Sequence, residues 1–177
     1  MIWLGIESSC DETACAVLKD GPVVEVLSNP LYSQIKEHSV FGGVVPEVAA
    51  RENLKKISSI ASEAIKLSGI SFSDIGAIAY TAGPGLMGPL LVGASFARGL
   101  SQDLGIPAYG INHLEGHLAA AWLSAQDLKP PFFFFFVSGG HTQLILEEEN
   151  FKYTAIGRTR DDAAGEAYDK VARTLNL

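Results

Sequence analysis

The run Asn112-His113-Leu114-Glu115-Gly116-His117 sets two histidines four residues apart. On a helix that spacing stacks both imidazoles on one face, and two imidazoles on one face can hold one metal ion. The chain has only two other histidines, His38 and His141, so the pair stands out against the composition. The plainer alternative is two polar residues near a helix start.

The pair differs from a zinc-peptidase motif at the position that matters. That motif is H-E-x-x-H, with the glutamate directly after the first histidine. Glu115 lies two residues after His113 and two before His117. Two helical residues turn through about 200°, so Glu115 faces away from the imidazoles and cannot activate a metal-bound water. The inverted order H-x-x-E-H does not fit either. A metal that binds and orients a substrate is the reading this spacing supports.

Two polar turns join the pair as candidate chemistry. The first is Glu7-Ser8-Ser9-Cys10-Asp11-Glu12-Thr13 and the second Val137-Ser138-Gly139-Gly140-His141. Glycines let backbone N–H groups approach a phosphate, and a serine hydroxyl adds a donor. The acidic residues of the first turn suit a divalent cation bridging to phosphates, or a group that polarises a substrate. Each turn alone is a common feature; their matched placement is the stronger signal.

The elements that must position these residues alternate between strand and helix. Apolar or β-branched runs predict strands over Ile2 to Ile6, Thr13 to Leu18 and Val23 to Leu27, with Lys19-Asp20-Gly21-Pro22 as a turn. Pro46 opens a helix that runs to about Leu67 and stops at Gly69, with Val48, Leu54, Ile57, Ile60, Ala61, Ala64 and Ile65 as its apolar stripe. A strand over Ile75 to Tyr80, a turn at 81–85 and a helix from Met87 to Leu104 follow. The small residues Gly88, Ala94, Ala97 and Gly99 on that helix would let a neighbour approach closely. Pro107 to Ile111 is a further strand, and the histidine helix spans about His113 to Ala125.

After Lys129-Pro130-Pro131, which reads as a hinge, the pattern restarts: strands over Phe132 to Val137, Thr142 to Leu146 and Phe151 to Ile156, then a helix from Ala163 to Leu175. The chain therefore carries an architectural repeat, the second copy shorter, divided into residues 1–128 and 129–177. The second polar turn occupies the same place in its copy as the first. The five consecutive phenylalanines 132–136 predict a central strand covered on both faces. A base-stacking platform would need basic residues interleaved with them, and none are nearby.

The 177 residues, 47% hydrophobic and 19% charged, describe a folded chain rather than a disordered one. Two cysteines, Cys10 and Cys15, are too few for a disulfide framework. No apolar run is long enough for a membrane span or a signal peptide, which points to a cytoplasmic protein. The net charge of −7 argues against a broad nucleic-acid footprint on this chain alone; a local basic patch or a basic partner could still supply one.

The strings GIESSCDETACAV, GGVVPEVAAREN, AYTAGPGLMGPLLVGASFARGL, NHLEGH, VSGGHTQL and DDAAGEAYDKVAR closely resemble the TsaD family, also called Gcp or YgjD and long labelled O-sialoglycoprotein endopeptidase. The resemblance implies an α/β, actin-like ATPase (ASKHA) fold, shared with sugar kinases and Hsp70, with a whole first lobe and the start of a second. It implies transfer of threonylcarbamoyl from threonylcarbamoyl-AMP to N6 of adenosine 37 in tRNA. It further implies one Fe2+ or Zn2+, a nucleotide ligand (ATP or threonylcarbamoyl-AMP, with Mg2+), and as partners tRNA, a TsaB-like paralogue, a TsaE-like ATPase or a second copy.

Residue by residue, His113 and His117 match the family's metal-binding histidines. Val137, Ser138, Gly139, Gly140 and His141 match its phosphate-binding loop, and Asp169 a ligand-contacting aspartate. Asp11 and Glu12 match the acidic turn beside the reaction centre. Cys10 has no base near it in sequence and reads as a small packing residue. The family's third protein metal ligand, an aspartate near its C-terminus, and a later glycine and asparagine at the nucleotide have no counterpart in these 177 residues. On this reading the isolated chain has a weakened metal site and an incomplete nucleotide cleft. Two further readings stand beside it: a metal-dependent endopeptidase, and a non-catalytic lobe that docks partners through the helices at 46–68 and 87–104.

Overall fold

The computed structural model describes residues 1–125, 127–149 and 152–175. The chain divides into two compact units, Met1–Ser124 and Ala125–Leu177.

In the first unit, β1 (Ile2–Glu7), β2 (Glu12–Lys19) and β3 (Glu25–Ser28) form an antiparallel meander. A short strand β4 (Leu31–Ser33) also pairs with β2, and a brief helix α1 (Ile35–Ser39) follows. The long helix α2 (Pro46–Ser68) leads through a 3-10 turn at Phe72–Asp74 into β5 (Ala77–Gly83), then α3 (Met87–Leu104), β6 (Ala108–Asn112) and α4 (His113–Ser124). The sheet order is β3-β2-β1-β5-β6, with β5 and β6 parallel to β1. The expected third strand begins two residues late, and β4 and α1, at three and five residues, are too short to carry a periodic signal and are absent from the sequence reading. Thr81 to Gly83, expected as turn, extend β5.

Strand alternation divides this sheet into two unlike faces. Leu4, Ile6, Thr13, Cys15, Val17, Ile78 and Tyr80 point into the core beneath α2 and α3. Gly5, Glu7, Ala14, Ala16, Ala79 and Thr81 point the other way, and register sets Gly5 beside Ala16 and Ala79, and Glu7 beside Ala14. Small side chains on three adjacent strands leave that second face hollow.

The helix ends follow backbone chemistry. Proline at N1 starts α2, and Gly69 and Gly105, at φ 72° and 66°, close α2 and α3 in the left-handed conformation that favours glycine. The buried stripe of α2 is Ala49, Asn53, Ile57, Ile60, Ala61, Ala64 and Ile65. Leu54, expected in that stripe, is instead 67% exposed; one residue of helical rotation separates it from Asn53, whose amide oxygen and nitrogen are both hydrogen bonded inside the protein. Gly88 does permit close approach, since a Cβ there would lie 2.8 Å from Ala50 Cβ of α2, whereas Gly99 faces open space.

The second unit contains β7 (Phe132–Val137), β8 (Thr142–Glu148), β9 (Lys152–Arg158) and α5 (Ala164–Thr174). Its three strands form an antiparallel sheet in chain order. The expected start of β9 at Phe151 lies outside the described residues. The phenylalanine run corrects the sequence expectation: β7 pairs only with β8 among the described residues, so it is an edge strand. Phe136 is buried and Phe132 and Phe134 are half-buried, while Phe133 and Phe135 are 66% and 68% exposed. Five identical side chains conceal an ordinary period-2 strand with one open face.

No helix among the described residues is long and apolar enough to cross a membrane. The burial pattern of α2 predicts that Ile57→Ala costs about 2–5 kcal/mol of stability, while Leu54→Ala stays within about 0.5 kcal/mol. Urea denaturation of the two variants measures both.

A histidine pair above a small-residue sheet face

The hollow sheet face and α4 enclose an open pocket of about 680 Å3, and the acidic turn and both histidines of the motif line it. Asp11 comes from the β1–β2 turn, Glu12 from the first position of β2, and His113 and His117 from the first turns of α4. Glu115, on the same helix, is not among the lining residues, in agreement with the rotation argument against a peptidase.

Asn112 starts α4 by accepting the Leu114 N–H on its side-chain oxygen at 2.9 Å, which serves as an N-cap. The helix then presents the two imidazoles edge to face, with ring centroids 4.6 Å apart at 87°. Their Nε2 atoms converge to 3.1 Å. Two nitrogens bound to one tetrahedral zinc at ~2.05 Å would sit about 3.3 Å apart, so the pair fits as two ligands of a single ion. No cluster of three or more metal-type side chains exists among the described residues.

Behind His113 lies Glu7, which the sequence reading did not single out. Its Oε1 accepts the Ser9 N–H at 2.5 Å, and its Oε2 accepts the Thr81 hydroxyl and lies 3.3 Å from His113 Nδ1. Burial raises the Glu7 pKa, but the hydrogen bonds from His113, Ser9 and Thr81 outweigh it and bring the value down to about 2. The same contact raises the His113 pKa against the opposing effect of burial. Strand alternation was the available signal, because Glu7 shares a face with Gly5 and the alanines of β2.

The acidic turn is held from several directions. Ser8 donates its hydroxyl to the Pro89 carbonyl at 2.9 Å, and Leu86 N–H donates to the Ser9 carbonyl at 2.8 Å. Asn53 donates to the Cys10 carbonyl at 3.0 Å, and Gln34 N–H to the Asp11 carbonyl at 3.1 Å. Asn53 also accepts from the Thr13 hydroxyl and Gln34 Nε2. Ser8 and Ser9 are buried, so the serine hydroxyl expected to grip phosphate is consumed internally at Ser8. Cys10 is a free thiol pushed up to about 11, first by burial and then by its hydrogen bond to Asp11; burial takes Cys15 to about 12. Neither is an activated nucleophile.

Val137, Ser138, Gly139, Gly140, His141 and Asp169 belong to the second unit. The turn closes on itself, Ser138 N–H donating to the His141 carbonyl at 2.8 Å and His141 N–H to Ser138 Oγ at 3.0 Å. It rests on the start of α5, where Gly165 N–H donates to the Ser138 carbonyl and a Cβ at 165 would fall 2.7 Å from Gly139 Cα. A Cβ on Gly139 or Gly140 would meet nothing within 4 Å, so internal packing does not demand glycine at either. The His141 ring stands edge-on to Phe136, and Asp169 is exposed on α5.

The lowered Glu7 pKa fixes a pH window. Its contribution to stability is whole above about pH 4.5, the unfolded value, and is lost as pH falls toward about 2. Metal-free Glu7→Gln should therefore lose stability less steeply than wild type across that window, measured by urea midpoints against pH. Gly85→Ala would place a Cβ 2.6 Å from the Ser9 carbonyl oxygen, and such overpacking should cost about 1–3 kcal/mol and weaken metal binding together with stability.

A protein described as tRNA N6-adenosine threonylcarbamoyltransferase from Clostridioides difficile (strain 630) is 54% identical over 177 residues, all of this chain and 52% of that protein. One of the same description from Caldicellulosiruptor saccharolyticus is 55% identical with the same coverage. The chain thus spans about half the length of the curated relatives it matches. Among solved structures, YeaZ from Pseudomonas aeruginosa matches with TM-score 0.55 at 16% identity, over 88% of this chain and 64% of that one, which shows a shared actin-like fold. The family model described as TsaD, tRNA N6-adenosine threonylcarbamoyltransferase, matches residues 25–177, and the chain belongs to the TsaD family.

Proposed function

We propose that this chain carries the metal-binding part of a cytoplasmic tRNA N6-adenosine threonylcarbamoyltransferase. The observation that supports it most is the convergence of His113 and His117 Nε2 in the pocket that Asp11 and Glu12 also line. The family described under that activity agrees with it.

In this reading His113 and His117 supply two ligands to one Fe2+ or Zn2+, which when bound acts as a Lewis acid toward the threonylcarbamoyl group. Adenosine N6 attacks the carbamoyl carbon, forming a C–N bond. The bond from that carbon to the phosphate oxygen breaks, and AMP leaves with the electron pair. Asp11 and Glu12 are the carboxylates offered to the N6 proton. Cys10 forms no acyl intermediate, since its thiol stays protonated, and positioning supplies most of the rate. In the second unit, the open backbone at Gly139 and Gly140 suits the phosphate of ATP or threonylcarbamoyl-AMP, with Mg2+ as its counterion. Val137 leads into that turn, and His141 and Asp169 are its candidate ligand contacts.

A second reading, the partner-docking lobe, has its own observation. Leu54, Ile57, Leu91, Val92 and Phe96 line a shallow apolar groove between α2 and α3, with Leu54 and Leu91 exposed. A TsaB-like paralogue or a second copy would cover it. A TsaE-like ATPase is a further proposed partner.

Labelled threonine incorporation into tRNA from threonylcarbamoyl-AMP tests both readings, using this chain with TsaB- and TsaE-type partners and ATP, with and without a supplied C-terminal lobe. The expected result is incorporation that requires the added lobe and disappears in His113→Ala together with bound metal. Undiminished metal in that variant overturns the histidine assignment. No incorporation while the TsaB-type partner is bound leaves the docking reading.

A further inference from the structure

The two imidazoles of the pocket are not equivalent. His113 is half-buried and backed by Glu7, while His117 is exposed one turn further along α4. An imidazole can direct a lone pair from Nε2 only when its proton sits on Nδ1. In an isolated side chain nothing holds it there. At His113 the partner on the Nδ1 side is a carboxylate, which when ionised is an acceptor only.

That carboxylate is itself fixed. Glu7 ends β1, and its pleat position sends it onto the small-residue face, where Gly5, Ala14 and Ala16 leave it room. Ser9 N–H holds Oε1, and the Thr81 hydroxyl holds Oε2, the oxygen that faces His113 Nδ1 at 3.3 Å. Ser9 Oγ also lies 3.3 Å from Nδ1, but a hydroxyl can donate as well as accept and so cannot by itself choose the tautomer.

We propose that Glu7 is a positioning residue for the metal site, locking His113 as the Nδ1–H tautomer and turning its Nε2 lone pair toward His117 Nε2. Thr81 holds Glu7 in place for that task. This rests on the reading of His113 and His117 as metal ligands. Outer partners of this kind set both the orientation and the basicity of a ligating histidine, and losing one costs about 10- to 100-fold in metal affinity.

The test uses the 177-residue chain with 15N-labelled histidine, metal-free and at mildly alkaline pH, where imidazoles are neutral. Long-range proton–nitrogen correlation reports which ring nitrogen of His113 carries the proton, independently of any metal. Wild type should show Nδ1–H at His113. Glu7→Ala should move the proton to Nε2 and weaken Zn2+ binding about 10- to 100-fold, measured by competition with a chromophoric chelator. Thr81→Val should shift both in the same direction by less, and it keeps the experiment decisive if Glu7→Ala does not fold. Nε2–H at His113 in wild type, or an unchanged tautomer in a folded Glu7→Ala, overturns the proposal. Zn2+ binding that survives His113→Ala overturns the ligand reading instead, and the tautomer measurement still decides the role of Glu7.

Discussion

The seating of the β1–β2 turn beneath α3 is the contact on which the site depends. Gly93 leaves room for Ser8, Gly85 leaves room for Ser9, and the start of α3 exchanges two hydrogen bonds with the turn. From the other flank, Asn53 and Gln34 hold the carbonyls of Cys10 and Asp11. A turn fixed by buried polar groups in a close-packed interior has little freedom to relax. Ser9 N–H is therefore fixed too, and with it Glu7 and His113. The order from glycine to imidazole runs through backbone geometry, and none of these glycines touches the histidines.

The same sheet performs two incompatible tasks by keeping them on opposite faces. Apolar side chains of β1, β2 and β5 fill the core under α2 and α3, while glycine, alanine and threonine on the reverse side leave a floor on which a ligand could rest. Large residues on that second face would gain burial energy at roughly 25 cal/mol per Å2, but would fill the pocket. Glu7 is the exception, a charged group on a partly buried face. It is stabilised there because its two oxygens receive donors from three separate elements; an ion with fewer partners would be neutral or displaced.

How much of this was legible in the sequence varied with the kind of signal. The ends of α2 and α3 could be placed because Pro46, Gly69 and Gly105 are backbone punctuation, whose effect is local. Residue type and spacing singled out the histidine pair and the acidic turn separately, and only the family resemblance set Asp11 and Glu12 beside the reaction centre; all four side chains line one pocket. Leu54 was expected inside because hydrophobicity alone ranks leucine as buried; Asn53 takes the interior position through hydrogen bonds from Thr13 and Gln34, groups 40 and 19 residues away. The phenylalanine run misled for a related reason: uniform chemistry erases the alternation that distinguishes a strand with one open face from one covered on both. Strand alternation places Glu7 on the small-residue face, but its approach to Thr81 and His113 depends on contacts 74 and 106 residues away, which no local pattern encodes.

The two polar turns, each following the first strand of its unit, differ physically. In the first unit the serines and backbone donors of the turn are largely spent on α3 and on Glu7, and what remains directed at the pocket is side-chain carboxylate. In the second unit the turn also leans on a helix, through Gly165 N–H to the Ser138 carbonyl, but Gly139 and Gly140 keep open space where a side chain would stand. One turn therefore offers fixed negative charge and the other offers approachable backbone. Negative charge suits a cation or a departing proton, and bare backbone N–H groups suit an anion. Each unit contains an antiparallel meander with a polar turn after its first strand, and the residues packed behind each turn decide which chemistry it presents.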